Sequence, residues 1–270
     1  MSEQPERHIL LLSGGKDSTA LAIYMRDQHP EIDVEYLFCD TQKELPETYE
    51  YLTKVEAYLG KPITRLLTEQ GERGFDHWLD MYGGFLPSPS VRWCTRKLKI
   101  EPFERYVGDD PVRLYVGIRS DENREGYIST KPNIVPVFPF KEDGIVKADV
   151  VRILDDSGIG LPAYYAWRTR SGCYFCFFQR KSEWVGLREN HEGLFEKAQG
   201  YEKPEKGYTW SQRESLEELA RPERIEQIRR EDAKRQAQAA ARRRPSTLAE
   251  VFTGELNESE DEQGCLICHL

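Results

Sequence analysis

Ser13-Gly14-Gly15-Lys16-Asp17-Ser18 stands directly after the apolar run Ile9-Leu10-Leu11-Leu12 and just before Ala20-Leu21-Ala22-Ile23-Tyr24. The run has the length and branching of a buried strand. From Thr19 onward the apolar spacing is helical, so the two glycines fall at a strand-to-helix turn. Glycine there lets the backbone bend tightly and bring its N–H groups close to an anion, with the positive end of the helix dipole aimed at the same point. Lys16 adds a cation, and Ser13 and Ser18 add hydroxyl donors. The hexapeptide reads as a phosphate cradle. It is not the longer Gly-x4-Gly-Lys-Ser/Thr loop, because two adjacent glycines precede the lysine and an aspartate follows it.

A chain of 270 residues can bury one α/β core with additions. With 39% hydrophobic and 31% charged residues the composition is that of a soluble protein. No apolar stretch approaches the roughly 18 to 20 residues of a membrane span, and Met1-Ser2-Glu3-Gln4-Pro5-Glu6-Arg7 is too polar for a signal peptide, so the expectation is a cytoplasmic protein without membrane contact. A net charge of −9 argues against indiscriminate polyanion binding, yet leaves room for a local basic site. Six cysteines in such a chain point to metal or redox chemistry rather than structural disulfides.

Strand-like segments at 8–12, 34–39, 63–66 and 113–118 alternate with helical patterns at 19–28, 46–59, 75–82 and 95–107, the signature of an α/β, doubly wound and mainly parallel sheet. A strand at 134–140 and a helix at 147–158 follow, and Pro136 and Pro139 confine that strand to an edge or an irregular extension. Such sheets bind ligands beyond the carboxyl ends of their strands. After the second strand comes Asp40-Thr41-Gln42-Lys43-Glu44-Leu45-Pro46-Glu47-Thr48, which puts Asp40 and Thr41 where a nucleotide is expected. After the fourth comes Val116-Gly117-Ile118-Arg119-Ser120-Asp121-Glu122-Asn123-Arg124. Arg119 offers a fork suited to phosphate or sulfate, and the acids either hold it or bind magnesium. A third segment, Arg92-Trp93-Cys94-Thr95-Arg96-Lys97-Leu98-Lys99, sets a cysteine among cations at a helix start, which favours the thiolate.

The hexapeptide resembles the PP-loop, Ser-Gly-Gly-x-Asp-Ser, of ATP pyrophosphatases. Asp-Thr-x-x-Glu-x-Pro-Glu-Thr, Gly-x-Arg-x-x-Glu and Arg-Trp-Cys-Thr-x-x-Leu-Lys resemble segments of the phosphoadenosine phosphosulfate (PAPS) reductase superfamily, especially the ATP pyrophosphatase subunit of DNA phosphorothioation systems. The resemblance spans about residues 8 to 190. It implies an adenine-nucleotide α-hydrolase-like fold. It also implies ATP and Mg2+ held by Ser13, Gly14, Gly15, Lys16, Asp17, Ser18, Asp40, Thr41, Gly117, Arg119 and Glu122, with Lys16, Asp17 and Arg119 as catalytic residues.

Two cysteines separated by two residues, as in Gly172-Cys173-Tyr174-Phe175-Cys176, can point both sulfurs at one metal across a tight turn. With Cys94 as third ligand the layout resembles the iron–sulfur site of thiolation-type PP-loop proteins. A [4Fe-4S] cluster is expected, with Zn2+ on the same cysteines as the alternative and the fourth ligand open. Aromatics in Leu161-Pro162-Ala163-Tyr164-Tyr165-Ala166-Trp167 either stack on a base or pack against the sheet edge.

Residues 221–244 carry nine basic and four acidic residues with weak helical patterning, and 250–262 carry six acids and no base. The first reads as an exposed helix and the second as a mobile acidic linker. At the end stands Cys265-Leu266-Ile267-Cys268-His269. This pair is a redox candidate, a zinc site with His269, or an exposed tail. PAPS reductases carry their catalytic cysteine on such a tail, although their Glu-Cys-Gly-Leu-His is not what stands here. The expected organisation is therefore a PP-loop domain over 1–190, a helical basic extension over 191–248 and an acidic tail over 249–270.

The activity these readings converge on is adenylation of an acceptor, DNA backbone ahead of tRNA base, with sulfur brought by a cysteine desulfurase or another donor. Reduction of PAPS or adenylylsulfate by Cys265 or Cys268 is one rival. A nucleotide-binding zinc module that catalyses nothing is the other.

Overall fold

β1 (Arg7–Leu12), β2 (Val34–Cys39), β3 (Ile63–Leu66), β4 (Val112–Tyr115) and β5 (Ile134–Val137) form one sheet in the order β3-β2-β1-β4-β5, every neighbouring pair parallel. The computed structural model describes residues 5–68, 74–123, 131–211 and 214–242. Parallel strands are buried on both faces, which is why β1 reads as an unbroken apolar run. Leu10, Leu12, Tyr36, Phe38 and Tyr115 face one core cluster, whereas Ile9, Leu11, Leu37, Cys39 and Leu114 face the other with Phe103 and Val107. β5 lies at an edge, where Pro136 costs the ladder no donor.

The helices follow the sequence pattern closely where it is periodic. α1 (Lys16–Gln28) buries Ala20, Leu21, Ile23 and Met25, and α2 (Pro46–Leu59) buries Tyr51, Leu52, Val55 and Leu59 before Gly60 ends it in the left-handed region. α3 (Phe75–Met81) follows β3. Three expectations need correction. The single helix at 95–107 is α4 (Trp93–Thr95), a widened π turn (Arg96–Ile100) and α5 (Glu101–Val107). Pro102 has no N–H to give to the preceding turn, and the Glu101 N–H instead reaches back to the Arg96 carbonyl. The strand at 113–118 stops at Tyr115, leaving Gly117 and Arg119 in a loop. The strand at 134–140 stops at Val137, and Pro139 opens the short α6 (Pro139–Glu142), followed by α7 (Lys147–Asp156) packed on α1.

The described chain divides into two compact units at Phe178–Gln179. The second unit is helical: α8 (Lys181–Asn190), α9 (Glu192–Gly200), α10 (Leu216–Leu219) and α11 (Pro222–Arg242). Trp184 and Trp210 lie 6.3 Å apart in its core, and the Trp210 indole donates to the Ala198 carbonyl at 2.8 Å. Arginines of α11 are matched locally by acids, Arg229 with Glu189, Arg230 with Glu226 and Arg235 with Asp232. Glu214 accepts from Arg224 at 2.7 Å and pairs with Lys181, and these partners hold its carboxyl down at about 2. A depressed carboxylate stabilises the fold above its unfolded pKa, and that contribution fades as pH falls toward the folded value. Glu214→Gln is therefore expected to destabilise this unit by about 2 to 3 kcal/mol near neutral pH. The gap to wild type in chemical denaturation should close between about pH 5 and pH 2, and a gap independent of pH would refute the ion pair as its source.

No helix among the described residues is long and apolar enough to cross a membrane. Cys265, Cys268, His269 and the acidic segment lie outside the described residues.

Candidate active site

The loops after β1, β2 and β4 meet at the carboxyl end of the sheet because all three strands run the same way. Gly14 turns with φ +70°, and a Cβ on it would stand 2.5 Å from Thr48 Cγ2, so the loop lies directly on α2. Gly15 is the N-cap of α1, whose first N–H groups have no partner within the helix itself. The hydroxyls knit the loop together: the Ser13 N–H donates to Ser18 Oγ at 3.1 Å, and Ser18 Oγ reaches the Gly15 carbonyl at 3.3 Å. From far along the chain Tyr164 donates its hydroxyl to the Gly14 carbonyl at 2.6 Å, Tyr165 accepts from the Lys16 N–H at 3.3 Å, and Ser171 Oγ donates to Ser13 Oγ at 3.1 Å.

Charge is concentrated beside the loop. Lys16 pairs with Asp17, and Asp17 also receives Arg119 Nη1 at 2.8 Å. Glu122 takes the same nitrogen at 2.6 Å and Asp121 takes Nε at 2.8 Å. Burial works against the Arg119 charge, but Asp17 and Glu122 outweigh it and hold the guanidinium above its ordinary range. Holding the arginine, one of the two roles open to these acids in the sequence, is the contact that Asp121 and Glu122 both make. Gly117 makes the pairing reachable. A Cβ there would come within 3.0 to 3.3 Å of the Asp17 and Ser18 backbone, so only glycine lets this loop lie against the first turn of α1 without displacement.

In the loop after β2, Asp40 accepts from the Gln42 N–H and the Tyr49 hydroxyl, both at 2.8 Å, while Gln42 takes φ +60°. Thr41 is buried and donates to Glu44 at 2.9 Å, and its Oγ1 lies 3.2 Å from Cys173 Sγ. Glu44 is buried as well. One of its oxygens, Oε2, has no partner among the described residues. Burial raises its carboxyl above the usual range, and Lys99, Thr41 and Arg168 counteract part of that.

The cysteine turn docks on this loop through the Tyr174 N–H, which donates to the Lys43 carbonyl at 2.8 Å. The Cys176 N–H closes the turn on the Cys173 carbonyl at 3.0 Å. Arg168, fully buried, fixes the approach by donating to the Gly172 and Cys173 carbonyls at 2.9 and 2.8 Å. Burial, then Glu44, pushes the Cys173 thiol well above its ordinary range. Cys94 sits on an adjoining element, because Trp93 stacks on Phe75 at 5.1 Å and Phe75 meets Phe175 at 4.2 Å. Among the described residues no group of three or more His, Cys, Asp or Glu side chains is arranged to hold a metal. In chemistry alone, two thiols on a two-residue turn suit a thiophilic metal, and the residue that touches Cys173 carries a carboxylate oxygen with no partner among the described residues. Cys39, by contrast, is buried in the sheet with its thiol pushed up to about 12, and is inert packing.

Thr48, Tyr164, Tyr165, Ser171 and Arg168 shape the site, although no local pattern assigns any of them a definite role there. Tyr164 is the instructive case. Packing and ligand stacking were both readable from it, and the structure uses it as a hydrogen-bonding wall under the loop.

Residues 7–139 match the phosphoadenosine phosphosulfate reductase domain, a span that includes the Ser13–Ser18 loop, Asp40, Cys94 and Arg119. This stretch of the chain is a domain of the PAPS reductase superfamily. The superfamily match ends before the cysteine turn at Cys173–Cys176. The chain is 27% identical over 203 residues to an uncharacterized protein of Methanocaldococcus jannaschii, MJ0066, covering 70% of this chain and 40% of that one. It is 26% identical over 220 residues to the nin region protein ORF290 of Escherichia phage lambda, covering 69% and 71%. It thus spans well under half of the archaeal relative. In fold it is similar to PAPS reductase from Candida auris, with a TM-score of 0.50, 16% identity and coverage of 63% of this chain and 82% of that one. A more distant likeness is to the U34-tRNA thiolase NcsA from Methanococcus maripaludis with its [4Fe-4S] cluster, TM-score 0.37 and 12% identity over 74% and 71%.

Proposed function

We propose that this member of the PAPS reductase superfamily is an ATP pyrophosphatase that adenylates a nucleic-acid acceptor for sulfur incorporation, in the manner of DNA phosphorothioation. The observation that carries the reading is the complete phosphate loop. Lys16 and the carboxylate-anchored Arg119 stand beside the N-terminus of α1, where anionic oxygens are stabilised. With the β- and γ-phosphates in the loop, an acceptor oxygen attacks the α-phosphorus, the bond to the bridging oxygen breaks and pyrophosphate leaves. The adenylated acceptor then exchanges AMP for a sulfur nucleophile supplied by a cysteine desulfurase or another donor. Lys16 and Arg119 offset the charge that develops on the departing phosphates, the main task in nucleotidyl transfer. Bound Mg2+ would supply further charge neutralisation, with Asp17, Asp40 and Glu122 as the carboxylates of these loops that would hold it. Cys94, Cys173 and Cys176 would hold a [4Fe-4S] cluster, or zinc as the alternative, and the group would supply a place for sulfur to bind.

ATP–pyrophosphate exchange tests the reading, with exchange that depends on magnesium and on a nucleic-acid acceptor as the expected result. The match to the PAPS reductase domain favours a second reading. In it a Cys265 or Cys268 thiolate attacks the sulfur of PAPS or adenylylsulfate, the S–O bond to the nucleotide breaks, and a second thiol releases sulfite as a disulfide forms. Absence of exchange together with sulfite release would establish that reading in place of the first. Iron, sulfide and zinc analysis of anaerobically purified protein decides between cluster and zinc.

A further inference from the structure

On a chain of net charge −9, residues 92–100 carry four basic side chains and no acid, and residues 168–178 carry two and no acid. The fold brings these two segments together at Phe178. The Arg92 guanidinium lies 5.1 Å from its ring centroid and that of Arg170 lies 5.3 Å away. The ring thus holds two cations in place that would otherwise repel each other and swing freely. Arg92 also donates to the Pro89 carbonyl at 3.1 Å. Neither arginine has a carboxylate partner among the described residues, which sets them apart from the paired arginines of α11. They flank the segments that carry Cys94 and the Cys173–Cys176 turn.

From this geometry we infer that Arg92 and Arg170, braced on Phe178, form a docking surface for the phosphodiester backbone of a nucleic acid. Two guanidinium forks held on one ring can each take a phosphate, whose negative charge the acidic remainder of the protein repels. An acceptor bound here would be presented beside the cysteines, so the inference rests on the nucleic-acid acceptor proposed above. A backbone contact of this kind reads charge and spacing rather than base identity.

Fluorescence anisotropy of labelled oligonucleotides over a salt series tests it, using single-stranded DNA, duplex DNA and RNA of one sequence on the full chain. Wild type is expected to bind at least one of the three with a salt-dependent affinity, and the arm that binds tightest names the source of the backbone. The double variant Arg92→Gln/Arg170→Gln should bind about tenfold more weakly near 0.1 M salt and lose about 1.4 from the log–log salt slope on a single strand. Arg229→Gln, which breaks a paired arginine of α11, should leave the slope unchanged. An unchanged slope in the double variant, or no binding by wild type, overturns the surface. Magnesium-dependent hydrolysis of ATP to AMP and pyrophosphate, with water as the attacking oxygen in place of the acceptor, is measured alongside. Intact pyrophosphate release without oligonucleotide binding refutes the surface alone, and binding without pyrophosphate release refutes the pyrophosphatase reading alone.

Discussion

Lys16→Ala is expected to lower ATP–pyrophosphate exchange by about a thousandfold while leaving the melting temperature close to that of wild type. The rate effect follows from removing the one lysine of the phosphate loop, at the N-terminus of α1, where in the proposed reaction pyrophosphate develops its charge. Stability is spared because Asp17 does not become an orphan. It keeps Arg119 at 2.8 Å, and Arg119 in turn keeps Glu122 and Asp121. Any metal content should also persist, since no contact of the Lys16 side chain reaches the cysteine turn. Exchange undiminished in this variant would remove Lys16 from the chemistry. Loss of metal would mean that loop and cysteines fold as one piece.

The second large effect is structural. Gly14→Ala is expected to cost about 3 kcal/mol, or roughly 6 to 12 °C in melting temperature. Two causes act together: the left-handed backbone at φ +70°, and a methyl group driven to 2.5 Å from Thr48 Cγ2 on a buried, β-branched side chain. They can be separated. Thr48→Ser deletes the offending methyl, so the double variant Gly14→Ala/Thr48→Ser should regain the steric part relative to Thr48→Ser alone. About 1 kcal/mol of backbone strain should remain. If the double variant is as damaged as the single one, the contact with α2 is not what constrains the loop.

What the sequence revealed and what it concealed divide along the distance over which its signals act. Strand–loop–helix order, the bounds Pro46–Leu59 and the edge position of β5 were legible, because periodicity and proline record neighbours within a few residues. The positions of Lys16, Asp40 and Arg119 followed from topology, since parallel strands deliver their trailing loops to one end. The contacts that complete the site span far greater separations. Tyr164 meets Gly14 and Ser171 meets Ser13 with about 150 residues between them, and Cys173 meets Thr41 across a similar gap. Nothing in a local pattern encodes such pairings. The π turn at Arg96–Ile100 was hidden for another reason: Pro102 predicts a disturbed helix, but a tight or a widened turn would satisfy it equally.

The Ser13–Ser171 hydrogen bond has a meaning for timing. A nucleotide phosphate that takes the proton of the Ser13 hydroxyl leaves its oxygen accepting from Ser171, three residues after Arg168 and two before Cys173, and polarises that bond further. Occupancy at one end of the sheet is thereby announced to the segment that carries Cys173 and Cys176, without any rigid-body motion. The amide protons of residues 171–174 become a clock for the catalytic cycle, and their exchange with deuterated solvent would report when the loop is filled.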